Sequence, residues 1–214
     1  HFTSLHLSTT FFLPSYMEWV CAADHSDAYR WHRSVLQVLQ SESGGRWQLK
    51  SPVHLVDPDA LLAVYPDARF VVTHRDPIDI VASVCSLARS LGGTFSDADW
   101  TEYVRVTWPE VIGRLVDNQL AFRSAQERAG NGAAFVDISY RELVVDPIAS
   151  VARLYESLGE PFSDAAEDAM REHSATHVKD RFGRHSYTLD DWGLDRAALT
   201  ERFAPYVERH ADLL

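Results

Sequence analysis

Lysine is almost missing from this chain. Of its 20 basic residues only Lys50 and Lys179 are lysine, and the remainder are arginine. Where arginine is the default, a retained lysine marks a place suited to a compact ammonium with movable donors. Cysteine is equally scarce: Cys21 and Cys85 make no disulfide framework and no metal-ligand spacing. Positive charge is in deficit overall, with a formal net charge of −11 at pH 7. That excludes broad nucleic-acid binding, which needs a basic face, but not a small anionic ligand, which needs only local positive groups. No apolar run is long enough to span a bilayer, and the first residues do not pair a basic region with a hydrophobic segment. The expectation is therefore a cytoplasmic protein with no membrane partner. An initiating methionine is absent too: the chain starts at His1 in mid-pattern, as a piece of a longer protein would, and a signal or anchor could lie outside it.

What is present describes a globular α/β chain. The 214 residues are 46% hydrophobic and 24% charged, enough for one domain over 1–214 with a sizeable core. His1 to Asp24 is aromatic and apolar without a clean period, suited to packing on a core or lining an acceptor pocket. Ser26-Asp27 opens a helix through Tyr29, His32, Leu36 and Leu39, stopped by Gly44-Gly45. A short strand is expected at Trp47-Gln48-Leu49, and a short helix after Asp57-Pro58. Residues 97–129 read as two amphipathic helices broken or kinked at Pro109. A strand over Ala134–Ile138 precedes a helix from Asp146-Pro147 to Gly159, another capped by Ser163, and a last one from about Arg196 to Val207. Strands alternating with helices predict a parallel sheet flanked by helices, with ligands beyond the carboxyl ends of the strands. Leu49-Lys50, Thr73-His74-Arg75 and Ser139-Tyr140 would lie along that edge.

The stretch Arg69 to Leu87 carries the most local information. A buried strand (Phe70, Val71, Val72) ends at His74 and Arg75 and turns into a helix. Asp76 suits the N-cap, and Pro77 the first helical position, where a missing N–H costs nothing. Ile78, Val81, Ala82, Cys85, Ala88 and Leu91 form one buried stripe, which makes Cys85 a core residue, while Ser83, Ser86 and Ser90 fall on the polar side. An arginine at a strand end beside a helix N-terminus suits an anion; an ordinary crossover with a surface arginine fits the local pattern as well.

Several chemistries lack their residues. Gly44–Ser51, GGRWQLKS, has Leu49 where a phosphate-binding loop needs its second glycine, and Pro52 stands where the helix should open. Lys50 reads better as a strand-end lysine facing the ligand edge. His173 and His177 have metal-ligand spacing but no third ligand, so no metal is expected. No Gly-x-Ser-x-Gly elbow offers a hydrolase nucleophile. His54, four residues beyond Lys50, suits a cap, a core position or a base.

Taken together, LKSPVHL (49–55) and YPDARFVVTHRDPIDIVASVCSL (65–87) resemble the sulfotransferases, especially the bacterial type related to the aryl and carbohydrate enzymes. The similarity lies in a strand ending Lys-Ser-Pro-x-His, then Pro-Asp-Ala-Arg, a strand, and Arg-Asp-Pro opening a helix with a serine eight residues past the arginine. It continues at ISYREL (138–143) with Asp146-Pro147, and at RFGRHSYTLDDWGL (181–194), similar to a late loop that closes over the nucleotide. The resemblance implies a P-loop-NTPase-like sulfotransferase fold. It also implies transfer of a sulfuryl group from 3′-phosphoadenosine 5′-phosphosulfate to a hydroxyl of a small-molecule or carbohydrate acceptor, by in-line displacement and without a metal. By this resemblance Lys50 would stabilise the transferring sulfonate or its leaving oxygen; His54 is the candidate base, a role that varies across the family. Arg75 and Ser83 would hold the 3′-phosphate, Tyr140 would lie near the adenine, and Arg184 and His185 would bind the nucleotide from the late loop. The first strand of that fold and its Arg-Ser-Gly-Thr-Thr type loop, which grips the 5′-phosphosulfate, have no match here. An N-terminally truncated enzyme, inactive or weak alone, is the resulting expectation; a nucleotide-binding relative that no longer transfers sulfate is the alternative.

Overall fold

The computed structural model describes residues 6–42, 44–176 and 187–214. In chain order it contains α1 (His6–Thr10), α2 (Pro14–Ala22), α3 (Ser26–Leu39), α4 (Pro58–Val64), β1 (Phe70–His74), α5 (Pro77–Gly93), α6 (Thr101–Arg128), β2 (Phe135–Ser139), α7 (Tyr140–Val145), α8 (Pro147–Leu158), α9 (Asp164–Thr176) and α10 (Arg196–Arg209). Pro52–Leu55 is a single 3₁₀ turn. The strands pair in parallel, in register from Phe70 opposite Phe135 to His74 opposite Ser139. The expected α/β architecture, a parallel sheet flanked by helices, is present and is mostly helical.

Local signals explain the helix starts. Each of the three Asp-Pro pairs caps a helix, with Asp57, Asp76 and Asp146 accepting from the backbone N–H of Ala60, Ile78 and Ala149 at 3.0, 2.8 and 3.0 Å. Ser163 does the same for α9, accepting from Ala166 at 3.2 Å. Gly159 ends α8 in the left-handed conformation, at φ 65°.

The core lies between α5 and α6, closed by α2 and α10. Ile78, Val81, Ala82, Cys85 and Ala88 are buried as their spacing predicts, whereas Leu91 is exposed. The stripe ends instead on Gly92, because the Trp100 indole covers that position: a Cβ on Gly92 would stand 2.7 Å from two ring atoms of Trp100. Trp100 is itself buried and cannot swing aside. Gly92→Ala is therefore expected to destabilise the protein by about 1–3 kcal/mol, the usual cost of overpacking. Urea unfolding checks this, and an unchanged midpoint would mean that α5 and Trp100 separate freely.

Two expectations about these elements need correction. Residues 97–129 do not form two helices; α6 runs unbroken through Pro109. Proline removes a backbone bond there, but Val104 and Trp108 before it and Val111, Ile112 and Leu115 after it are all buried, and this packing outweighs the local preference. Trp47-Gln48-Leu49 is not a strand, since these residues find no pairing partner, and Trp47 and Leu49 are exposed. The aperiodic start forms α1 and α2, and the two phenylalanines between them pack on neighbours, as one of its two expected uses requires: Phe11 on Phe95 at 5.8 Å and Phe12 edge-on to Tyr103 at 4.7 Å.

Candidate active site

The strand pairing places Arg75 and Tyr140 side by side. His74 and Ser139 are the last paired residues, so the chain leaves the sheet at the next residue of each strand. Ser139 accepts from the Glu142 N–H at 3.4 Å and thereby starts α7 at Tyr140. The Arg75 guanidinium lies 5.0 Å from the centre of the Tyr140 ring and 3.9 Å from the Asp79 carboxylate. Two turns along α5 stands Ser83, and Ser83 and Arg75 together hold the phenol of Tyr187 below its ordinary range. Burial opposes the charge on Arg75, but Tyr187, Asp79 and Tyr140 outweigh it and keep the guanidinium charged.

A second cluster surrounds His54. Ser51 caps the 3₁₀ turn by accepting from the Val53 N–H at 3.3 Å. Asn118 of α6 donates to the carbonyls of Leu55 and Val56, each at 3.0 Å, and fixes the end of that turn. The His54 ring is half-buried, with Nδ1 3.1 Å from the Tyr29 hydroxyl. Burial, reinforced by nearby His32, lowers the pKa of His54. Nδ1 of His32 in turn meets the Tyr65 hydroxyl at 2.8 Å. Lys50 is exposed just ahead of the turn.

Behind Arg75 lies a buried polar network. His74 was grouped with Arg75 at the ligand edge by sequence, but its side chain is completely enclosed. Its Nε2–H donates to Asp137 at 2.9 Å, and its Nδ1 accepts from the Tyr206 hydroxyl at 2.7 Å. Arg123 donates to both oxygens of Asp137 at 3.1 Å and to Glu127 at 2.7 Å, and Arg209 reaches Glu127 at 2.6 Å. The His210 ring stacks 4.1 Å from that of His74, and burial beside His74 pushes its pKa down to about 4. Asp137 is raised by burial, but hydrogen bonds from His74 and Arg123 prevail and hold it down at about 2.

Of the residues singled out by sequence, the structure brings Arg75, Ser83 and Tyr140 into one cluster and sets His54 in another. Arg184 and His185 lie outside the described residues, as does His177. Among the described residues no group of three or more His, Cys, Asp or Glu side chains is placed to hold a metal. Two contributors were missed. Tyr187 sits in the polar, aperiodic stretch before α10, where only its place in the late-loop resemblance could have marked it. Tyr29 looked like an ordinary residue on one face of α3.

A parallel sheet with an arginine, a serine and a tyrosine gathered at its carboxyl edge is the arrangement in which open α/β folds place their ligands. The chain belongs to the sulfotransferase family, whose sequence model matches residues 1–164. Among solved structures it is similar to sulfotransferase STF9 from Mycobacterium avium, with 36% identity, a TM-score of 0.84, and coverage of 97% of this chain and 53% of that one. It is also similar to sulfotransferase STF1 from Mycobacterium tuberculosis, with 33% identity, a TM-score of 0.77, and coverage of 95% and 52%. Omega-hydroxy-beta-dihydromenaquinone-9 sulfotransferase Stf3 from Mycobacterium bovis is 24% identical over 190 residues, covering 84% of this chain and 45% of that protein. The chain thus spans about half the length of these relatives. Among the described residues no helix is long and apolar enough to cross a membrane.

Proposed function

We propose that the intact protein carrying this chain transfers a sulfuryl group from 3′-phosphoadenosine 5′-phosphosulfate to the hydroxyl of a small acceptor. The observation that supports this reading is the Arg75 guanidinium standing over the Tyr140 ring at the carboxyl edge of the sheet, with Ser83 and Arg75 together lowering the pKa of the Tyr187 phenol. In the proposal a 3′-phosphate oxygen takes the place of that phenol. Tyr140, stacked on Arg75, orients the guanidinium and borders the adenine. Arg184 and His185 complete the nucleotide site.

His54 accepts the acceptor's hydroxyl proton as the new O–S bond forms and the S–O bond to the 5′-phosphate breaks. The electron pair of the broken bond leaves on that phosphate, and Lys50 offsets the charge on the sulfonate and leaving oxygens. The lowered pKa of His54 suits this role, since the imidazole is neutral and able to accept at pH 7. No metal is needed for this displacement. The 5′-phosphosulfate loop implied by the resemblance has no counterpart in this sequence, so the 214-residue chain alone is proposed to turn over weakly or not at all.

For the acceptor, the hydroxylated menaquinone in the name of the Stf3 relative favours a hydroxyl on an apolar body.

The test is nucleotide discrimination by the intact protein. Adenosine 3′,5′-diphosphate at a hundredfold excess over its dissociation constant should stabilise the fold by about 2.7 kcal/mol, read as a rise in melting temperature. Adenosine 5′-diphosphate, which lacks the 3′-phosphate, should do far less. Equal shifts would remove the clamp from the proposal.

A further inference from the structure

We infer that Tyr29 is the positioning residue for His54, holding the imidazole with Nδ1–H turned to the phenol oxygen and the Nε2 lone pair presented to the acceptor hydroxyl. The inference rests on the proposed role of His54 as base and assigns it a partner that the sequence did not reveal. Its basis is geometric. The Tyr29 hydroxyl lies 3.1 Å from Nδ1, and the two rings run nearly alongside each other, 31° apart with centres at 5.9 Å. Tyr29 sits on α3 and His54 on the 3₁₀ turn, and each element is fixed independently. The turn is held by Ser51 and Asn118, and α3 is held against α4 through the His32–Tyr65 hydrogen bond. Neither ring needs to move to keep the contact.

The role of a base requires one direction of this hydrogen bond. A phenol can donate to Nδ1 or accept from it, and only the second leaves Nε2 free as a base. Asp57, just past the turn, bears a carboxylate that accepts from the His25 N–H at 3.0 Å. Together with burial it raises the pKa of Tyr29, so the phenol keeps its proton. With the phenol protonated, its oxygen lone pairs are what can serve the Nδ1–H that this role requires. When His54 takes up a proton at Nε2, the same oxygen already accepts from Nδ1–H, and the imidazolium is stabilised without rearrangement. The other titratable groups around the ring are His32 and Tyr65, which satisfy each other, and Lys50 ahead of the turn; α6 presents the uncharged Asn118. The arrangement does the work of an orienting carboxylate beside a catalytic histidine, with a neutral acceptor and a correspondingly smaller effect.

The test compares Tyr29→Phe and His54→Gln with the wild type in the intact protein, using 3′-phosphoadenosine 5′-phosphosulfate and a phenolic acceptor. Tyr29→Phe keeps the ring and removes the oxygen. Its kcat should fall roughly tenfold while KM and the affinity for adenosine 3′,5′-diphosphate stay unchanged. The acidic limb of kcat/KM should move to lower pH, because the imidazolium has lost its acceptor. In wild-type protein the nitrogen shifts of His54 should report the Nδ1–H tautomer, a readout that needs no turnover. If His54→Gln leaves kcat intact, the base assignment itself fails. If His54→Gln removes activity but Tyr29→Phe moves neither kcat nor the acidic limb, or the Nε2–H tautomer is found, the positioning role of Tyr29 is wrong while the base stands. Unchanged nucleotide binding by Tyr29→Phe excludes misfolding as the cause of lost activity.

Discussion

Replacing Arg75 with alanine is expected to abolish the stabilisation that adenosine 3′,5′-diphosphate gives the intact protein. Arg75 is the one group in the clamp that brings both a full charge and a planar fork of donors, and Tyr140 holds that fork flat from one side. Losing a partly buried, charge-assisted contact costs about 2–5 kcal/mol, which is on the order of 30- to several thousand-fold in affinity. Calorimetric titration should show this loss for the 3′-phosphorylated nucleotide and almost none for adenosine 5′-diphosphate. Arg75→Lys should recover only part, since an ammonium neither forks nor stacks in the same way. Full-affinity binding by Arg75→Ala would place the 3′-phosphate elsewhere.

The other large effect concerns stability. Asp137→Ala should cost about 3–5 kcal/mol in urea unfolding, against the 5–15 kcal/mol that typical domains possess. The reason is what remains behind: His74 is fully enclosed and only 14% of the Arg123 side chain is exposed, and both would keep donors aimed at an absent acceptor. A loss below about 1 kcal/mol would show that water replaces the carboxylate.

The same network sets an acid dependence with a definite sign. His210 has a folded pKa of about 4 against an ordinary 6.5, so below pH 6.5 the unfolded chain binds a proton that the folded one refuses. Its contribution is complete above pH 6.5 and declines as the pH falls toward 4. Asp137, at about 2 against an ordinary 3.8, contributes fully above 3.8 and loses its share as the pH falls through 2. Stability should therefore fall in two successive acid phases. His210→Phe should flatten the upper phase in part, because His32 and His54, also lowered by burial, continue to titrate there.

What could be read from the sequence was whatever the chain states locally. The Asp-Pro pairs named three helix starts because capping chemistry needs only a few adjacent residues. The α5 stripe was legible because burial on one face leaves a period. The failures share a cause in long-range packing. Pro109 argued locally for a break, but the apolar residues on both sides of it are held by other helices. Trp47–Leu49 has strand-like composition, yet a strand exists only with a neighbour. Nothing local marks Gly92 as the seat of an indole. The contacts of Tyr29 with His54 and of Tyr187 with Arg75 cross between distant segments and leave no periodic trace. The enclosure of His74 depends on Asp137 and Tyr206, neither near it in sequence.

The parallel pairing of β1 with β2 has a consequence for how this chain can vary. Two strands of five residues act as a ruler that brings Arg75 and Tyr140 level, although two long helices intervene between them. Alternating side chains mean that one residue gained or lost inside either strand would turn the following side chains to the opposite face and carry the arginine away from its ring. Residues added between α5 and α6, or in the turn leading into β2, would leave the ruler unchanged. Length changes are thus free to collect in the connections and are shut out of ten paired residues, the whole of which serve as a spacing device for two side chains that lie just beyond them.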